Sequence, residues 1–138
     1  MADIKYKIKS LKETMFSLNH ENLPTLDKVA PLVQLGMQVN KVSETELSLS
    51  LQINLSCEQS TLLAYGCEHI FEIENMTSIF NFKEEGLEDK HGFLPTLFDI
   101  SYNGIRGMIA IRVLGTKLSD YPLPLLSPKE VFKDMSKK

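Results

Sequence analysis

The sequence predicts an α+β fold, a four-stranded antiparallel sheet followed by one long and one short C-terminal helix. Apolar residues recur at every second position through the first half of the chain, and at helical spacing between 94 and 114. The strand signals come first and the helix signals last. That order places helices on one face of an antiparallel sheet rather than between parallel strands. A single domain, 1–138, is expected, and the length is enough for a hydrophobic core.

The first strand is read in "IKYKIKSLKETMFSL". Ile4, Tyr6 and Ile8 alternate with Lys5, Lys7 and Lys9, and the phase shifts at Ser10–Leu11, which predicts a bulge. A lysine row is a common guard on an edge strand. In the second strand, "VQLGMQVN", Val33, Leu35, Met37 and Val39 alternate with Gln34, Gly36, Gln38 and Asn40. In the third, "TELSLSLQINLSCE", Leu47, Leu49, Leu51, Ile53, Leu55 and Cys57 alternate with serine, glutamine and asparagine. That period of two marks a strand with one buried face. The short connection "KVSE" makes the second and third strands antiparallel neighbours. The fourth, "STLLAYGCEHIFEIEN", puts Leu63, Tyr65, Cys67, His69, Phe71 and Ile73 on one face.

Two stretches lack this alternation. "NHENLPTLDKVAPL" (19–32) is too long for a hairpin, so the first strand is expected to pair elsewhere than with the second. Its Leu23, Leu26, Val29 and Leu32 are apolar without a sheet face to explain them. "NFKEEGLEDKHG" (81–92) is charged and glycine-punctuated and reads as a mobile surface loop.

The long helix is expected over 94–114, with Pro95 in its first turn and Gly115 as its C-terminal cap. "SPKE" is a capping box, with Ser127, Pro128 and Glu130, opening a short helix through Val131, Phe132 and Met135. On a helical wheel, Asp99, Asn103 and Arg106 make a narrow polar stripe, and the rest of the long helix is largely apolar. A helix lying on one sheet needs an apolar arc of little more than about 100°. This one has roughly twice that, so it is expected to touch two partners. Ser101, Gly104, Gly107 and Ala110 recur every third residue, which permits close backbone approach. Self-association through Leu97, Ser101, Gly104, Arg106, Gly107, Met108 and Ile111 follows as an expectation, with Asp99 and Arg106 pairing across the contact. The alternative is that the glycines only fit the helix to its own sheet.

Composition narrows the function. With a net charge of −3 the chain offers no electrostatic footprint for nucleic acid. "GIRG" (104–107) imitates an RNA-binding glycine loop but lies inside an apolar helix. No apolar run is long enough to span a membrane, and the N-terminus has no apolar signal core, so a cytoplasmic location is expected. Cys57 and Cys67 then read as reduced, buried thiols, and the sequons at Asn54 and Asn75 carry no meaning without secretion. Cys67 and His69 form a C-x-H pair, but two ligands do not make a zinc site. His91 lies among Glu84, Glu85, Glu88 and Asp89 in the acidic loop, and His20 has no evident partner. No nucleophile motif, phosphate loop or dinucleotide fingerprint is present. No catalytic residue, metal or cofactor is therefore assigned, and an enzyme is not expected.

In this order of elements the chain resembles the SecB family of export chaperones. "LPTLFDISYNGIRGMIAIRVLGT" looks like that family's first long helix, "YPLPLLSPKEVFKDM" like its proline-punctuated connector and second helix, and "IFEIEN" like the end of its fourth strand. The resemblance covers about residues 4–134. It implies a homotetramer, a dimer of dimers with the long helices between two sheets, and an ATP-independent holdase that binds unfolded or precursor polypeptides in apolar grooves. By the same resemblance the groove would be lined by Leu23, Leu26, Val29, Leu32, Leu123, Leu125, Leu126, Val131 and Phe132. Members dock the translocation ATPase SecA partly through acidic residues on the outer face of the sheet. Here Lys5, Lys7 and Lys9 occupy that face, with Glu13, Glu68 and Glu72 as the available acids, so SecA is left open as a partner. The alternative is a SecB-fold oligomer with one dedicated partner, such as an antitoxin, or a small apolar ligand.

Overall fold

The computed structural model describes residues 4–19, 32–57, 60–84 and 86–114. Strands β1 (Tyr6–Leu18), β2 (Leu32–Lys41), β3 (Glu46–Cys57) and β4 (Ser60–Ile73) form one antiparallel sheet in the order β1-β4-β3-β2. A short helix α1 (Met76–Ile79), a hairpin β5 (Phe80–Lys83) and β6 (Gly86–Asp89), and the long helix α2 (Leu94–Arg112) follow. The α+β class and the four strands match the expectation. The C-terminal helix through Val131 and Phe132 lies outside the described residues.

β3 and β4 occupy the centre of the sheet, with α2 over one face. Their alternating residues Leu47, Leu49, Leu51, Ile53 and Leu55, and Leu63, Tyr65, Cys67, Phe71 and Ile73, are all buried. β2 pairs with β3 without interruption from Leu32↔Ser56 to Lys41↔Leu47. β1 does pair away from β2, running antiparallel to β4 from Tyr6↔Ile73 to Leu18↔Leu63. Its register slips between Ile8 and Ser10, the bulge the phase shift predicts, and again between Glu13 and Met15. The second slip skips Thr14, pairs Met15 with Gly66 and leaves the Thr14 side chain close to Gly66. A Cβ at Gly66 would come within 2.7 Å of Thr14 Oγ1, so the close crossing requires glycine there.

The segment 81–92 is not the mobile loop its charge suggests. Phe80 is buried, Phe82 and Leu87 are half-buried against the core, and four register pairs from Phe80↔Asp89 to Lys83↔Gly86 close a hairpin. Lys83 and Glu88 form an ion pair across it, which holds the Glu88 carboxyl below its ordinary range. The charge belongs to the solvated side of a two-stranded ribbon, and the short alternation was hidden by its acidic residues.

The hairpin ends in the cap of α2. Asp89 Oδ1 accepts the Phe93 N–H at 2.9 Å and Oδ2 the Leu94 N–H at 2.7 Å. A carboxylate there satisfies two amides at the helix entry and meets the positive end of the helix dipole. Gly92 makes the turn between them with φ +63°. At the other end, α2 stops at Arg112, and Val113 closes the last turn on Ile109.

α2 packs mainly on β3 and β4. Phe98, Tyr102, Ile105, Ile109 and Val113 join Leu51, Ile53, Leu55, Tyr65 and Cys67 in one core cluster. Leu97 joins a second, with Leu47, Leu49, Phe71, Met76, Ile79, Phe80 and Phe93. The hairpin and α1 therefore supply the wall that the sheet alone would lack at this end.

Asp89→Ala should destabilise the fold by about 1–2 kcal/mol, because it removes the acceptor of two helix-entry amides. Urea denaturation followed by circular dichroism measures it; an unchanged midpoint would mean that the hairpin does not anchor α2.

Candidate functional site

The helix side of the sheet is wider than the helix. Strands lie about 4.8 Å apart and a helix is about 10 Å across, so one helix rests on two strands. The outer strands show the consequence. On β1, the helix-side residues Ile8 and Leu11 remain 47% and 48% exposed. On β2, Val33, Leu35, Met37 and Val39 are only half-buried.

The helix itself is covered on one side. Leu97, Phe98, Ser101, Tyr102, Ile105, Ile109 and Val113 are buried, whereas Asn103, Gly107, Ala110 and Ile111 face outward; Gly104 is exposed at the flank, where a Cβ would lie 3.7 Å from His69 Nε2. Ile111 and Leu114 are each 70% exposed. Asp99 and Arg106 meet on Asn103. The Asn103 amide donates to Asp99 Oδ1 at 3.0 Å, and Arg106 donates to Asn103 Oδ1 at 3.0 Å. These contacts give the narrow polar stripe an internal structure within one chain.

The residues expected to bind a second subunit thus divide. Leu97 and Ser101 are fully enclosed by the chain's own sheet, and Met108 is half-buried against it, so these three belong to the fold's interior contacts. The wheel could not separate them, because the same apolar arc serves the chain's own core. Gly104, Gly107 and Ile111 are exposed, and Arg106 is half-buried. A Cβ on Gly107 would meet no atom within 4 Å, so nothing among the described residues requires glycine there. Of the expected groove, Leu32 alone is described. It is 60% exposed and pairs with Ser56 on the face turned away from α2. Leu23, Leu26, Val29, Leu123, Leu125, Leu126, Val131 and Phe132 lie outside the described residues.

A polar latch ties the end of α2 to the edge strand. Arg112 reaches Glu13 on β1 with two bonds, Nη2 to Oε1 at 2.6 Å and Nε to Oε2 at 3.2 Å. Tyr65 on β4 donates its hydroxyl to Glu13 Oε2 at 3.0 Å. The guanidinium also lies over the Phe16 ring, 5.0 Å from its centroid. Burial, then the bond to the Glu13 carboxylate, push the Tyr65 phenol well above its ordinary range. Bidentate pairing fixes the arginine in direction as well as distance. Glu13 therefore faces the helix, opposite Cys67, rather than the outer face where an acidic docking residue was sought. The first register slip of β1 decides this, because it moves Leu11 and Glu13 to the helix side, and the second slip lies beyond Glu13. Of the other acids, Glu68 accepts from buried Ser48 at 2.8 Å and Glu72 pairs with Lys7 at 3.5 Å. Lys9 binds Glu46, which raises its pKa.

Beneath the middle of α2 lie two polar side chains that the sequence did not single out together. His69 and Ser101 are buried, and neither His69 Nδ1 nor Ser101 Oγ has a hydrogen-bond partner. His69 stacks on Phe71, with ring centroids 5.9 Å apart. Burial pushes its pKa down and pushes the Cys67 thiol up. Cys67 is a free, buried thiol, as expected. Among the described residues no cluster of His, Cys, Asp or Glu could hold a metal ion, and no helix is long and apolar enough to cross a membrane.

No protein-family description and no curated protein matches this sequence. Among solved structures, it is similar to a protein of unknown function from Streptococcus agalactiae, with a TM-score of 0.49 and 9% identity over 91% of this chain and 98% of that one.

The latch predicts a coupling. Glu13→Gln and Arg112→Ala should each cost about 1–2 kcal/mol, and the double variant distinctly less than their sum, because both remove the same pair. Equilibrium unfolding of the four proteins in the cycle measures it. Additive losses would mean that the two side chains act independently.

Proposed function

We propose that this chain is an oligomeric, ATP-independent holdase of SecB type, which shields unfolded polypeptide segments on apolar surface left open by its single long helix. The observation that supports this reading is the mismatch of widths. α2 covers β3 and β4, while Ile8 and Leu11 on one flank and Ile111 and Leu114 on its own back remain largely exposed. Exposed apolar side chains on two flanks of one helix are what an interaction surface would use. Burial of apolar area is non-directional, so such a surface accepts many sequences and needs no cofactor.

In this reading the back of α2 meets a second copy, with Gly107 at the closest approach and Gly104, Arg106 and Ile111 beside it. A homotetramer would bury those helices between two sheets. The client groove would be the crossover and the C-terminal segment, with Leu23, Leu26, Val29, Leu123, Leu125, Leu126, Val131 and Phe132 as its lining. Leu32, exposed on the face turned away from α2, belongs to the same proposed lining.

Gly107→Leu separates assembly from folding. Within one chain the new side chain meets open space, and replacing a mid-helix glycine adds up to about 1 kcal/mol of helix stability. Thermal melting should therefore be unchanged or higher, while light scattering shows a smaller particle. A normal particle size would remove the glycines from the interface.

The holdase activity is tested by aggregation of several unrelated proteins diluted from denaturant. Substoichiometric oligomer should delay aggregation of all of them. Leu26→Asp or Val29→Asp should abolish the effect with the spectrum and particle size preserved, since a charge would have to be desolvated where apolar chain binds. Protection of none of the clients would contradict the reading and leave a dedicated partner or a small apolar ligand.

A further inference from the structure

β2 ends the strand order β1-β4-β3-β2, and among the described residues nothing pairs with its outer edge. An antiparallel strand turns the N–H and C=O of every second residue away from its neighbour, so the ten residues of β2 present an open ladder of donors and acceptors. Proteins guard such edges with lysine, proline, bulges or very short strands. The opposite edge, β1, is guarded in this way by Lys7, Lys9 and Lys12 and by two register slips. β2 has none of these devices along its length. It runs in unbroken register with β3, contains no proline, and its one charge, Lys41, is its last residue.

The residue pattern of β2 also matches its own reverse. When it is laid antiparallel on a second β2 about a two-fold axis at Gly36, Val33 falls opposite Val39, Leu35 opposite Met37, and Gln34 opposite Gln38. The axis repeats each pair. Val33, Leu35, Met37 and Val39 lie on the helix side and are half-buried within one chain, so the pairing sets apolar residues against apolar ones and amides against amides. Only Leu32, opposite Asn40, is unlike its partner, and Lys41 falls beyond the paired segment, so no like charges face each other. Moving the axis to Met37 sets Val33 against Lys41 and Gly36 against Gln38, and the match is lost. β1 does not fit this edge, because its lysines and slips interrupt a ladder. A β2-to-β1 contact would also be head-to-tail and grow without closing, whereas a β2-to-β2 contact closes at two copies.

We propose that β2 is a self-pairing edge: two copies of this chain join β2 to β2, antiparallel about Gly36, into one continuous sheet with both α2 helices on the same face. The contact goes beyond the meeting of helix backs and does not depend on it. It supplies what that meeting lacks, since a tetramer built as a dimer of dimers needs two different two-fold contacts and the back of α2 provides one.

Gly36 is the probe. It is exposed, and a Cβ there would meet Gln52 Cβ at 4.0 Å, an ordinary contact, so a side chain at this site leaves the single chain undisturbed. In Gly36→Cys, carried in the full chain with Cys57→Ser, the pairing sets two thiols opposite each other with Cα atoms about 4.5–5.5 Å apart, within the reach of a disulfide. Gln34→Cys or Gln38→Cys alone puts the thiols four residues out of step, about 14 Å apart, and the double variant brings 34 opposite 38. Copper phenanthroline, or a one-carbon bis-methanethiosulfonate, should convert most of Gly36→Cys and of the double variant to covalent dimer, and leave each single glutamine variant uncoupled. Gly36→Lys, which sets like charges on the axis, should reduce the particle mass to about half with the far-UV spectrum unchanged. Equal coupling at all three positions, or none at 36, would overturn the pairing. A particle of more than one chain mass without the Gly36→Cys coupling overturns this contact alone and leaves the helix contact standing. Gly107→Leu should keep the coupling, and its loss there would overturn the independence of the two contacts. Slowed amide exchange along β2 only when unfolded polypeptide is added would give the edge to a client strand and refute the self-pairing.

Discussion

One helix lying on two strands of a four-stranded sheet is the constraint from which the rest of this molecule follows. Phe98, Tyr102, Ile105 and Ile109 fill the space above Leu51, Ile53, Tyr65 and Cys67, and together they form the larger core cluster. Fully burying side chains of this size contributes about 1.5–3 kcal/mol each. The same packing sets a limit, because the helix is too narrow to shelter Ile8 and Leu11 on β1 or to enclose Val33, Leu35, Met37 and Val39 on β2. The two edges are also unlike. β1 carries lysines and two register slips, the usual protection against stray strand pairing, whereas β2 runs ten residues in unbroken register.

Polar contacts decide where the helix sits, and apolar contacts decide that it stays. Asp89 fixes the entry through two backbone amides, and Arg112 fixes the exit through Glu13. Each end thus has a charge opposite to that of the helix dipole, supplied by the hairpin at the start and by the helix's own last turn at the end. The pair is half-exposed, so its Coulomb attraction is small and its hydrogen bonds carry most of its worth. Its value is geometric, since the bidentate bond and the Phe16 ring hold Arg112 in one orientation across β1. Between these ends the contact is largely apolar, with buried His69 Nδ1 and Ser101 Oγ lying within it.

Much of the sheet was legible because strand alternation is a direct image of burial. Leu47 through Leu55 alternate with serine, glutamine and asparagine, and the odd positions prove buried. The slip at Ser10 could be read for the same reason, as could the pairing of β1 away from β2. The β5–β6 hairpin was not legible. Its strands are four residues long, and Lys83, Glu84 and Glu88 outweigh Phe80, Phe82 and Leu87 in any window. Glu13 was read onto the wrong face, since the slip at Ser10 reverses the alternation and holds it reversed through Glu13. The helix posed a different difficulty. A wheel shows which residues are apolar but not which partner covers them, so Leu97 and Ser101 looked like subunit contacts although the chain's own sheet encloses them. Gly107 and Ile111 are exposed instead, and what distinguishes them is position relative to the sheet rather than residue type.

The central claim is that the uncovered back of α2 is covered by further copies of the same chain. Sedimentation equilibrium of the unmodified protein at micromolar concentration tests it most directly, because mass is read without labels or substitutions. The account predicts a particle of four chain masses that dissociates through a dimer on dilution, with the chain mass of 15.6 kDa as the unit. A single species of one chain mass across the whole concentration range would contradict it.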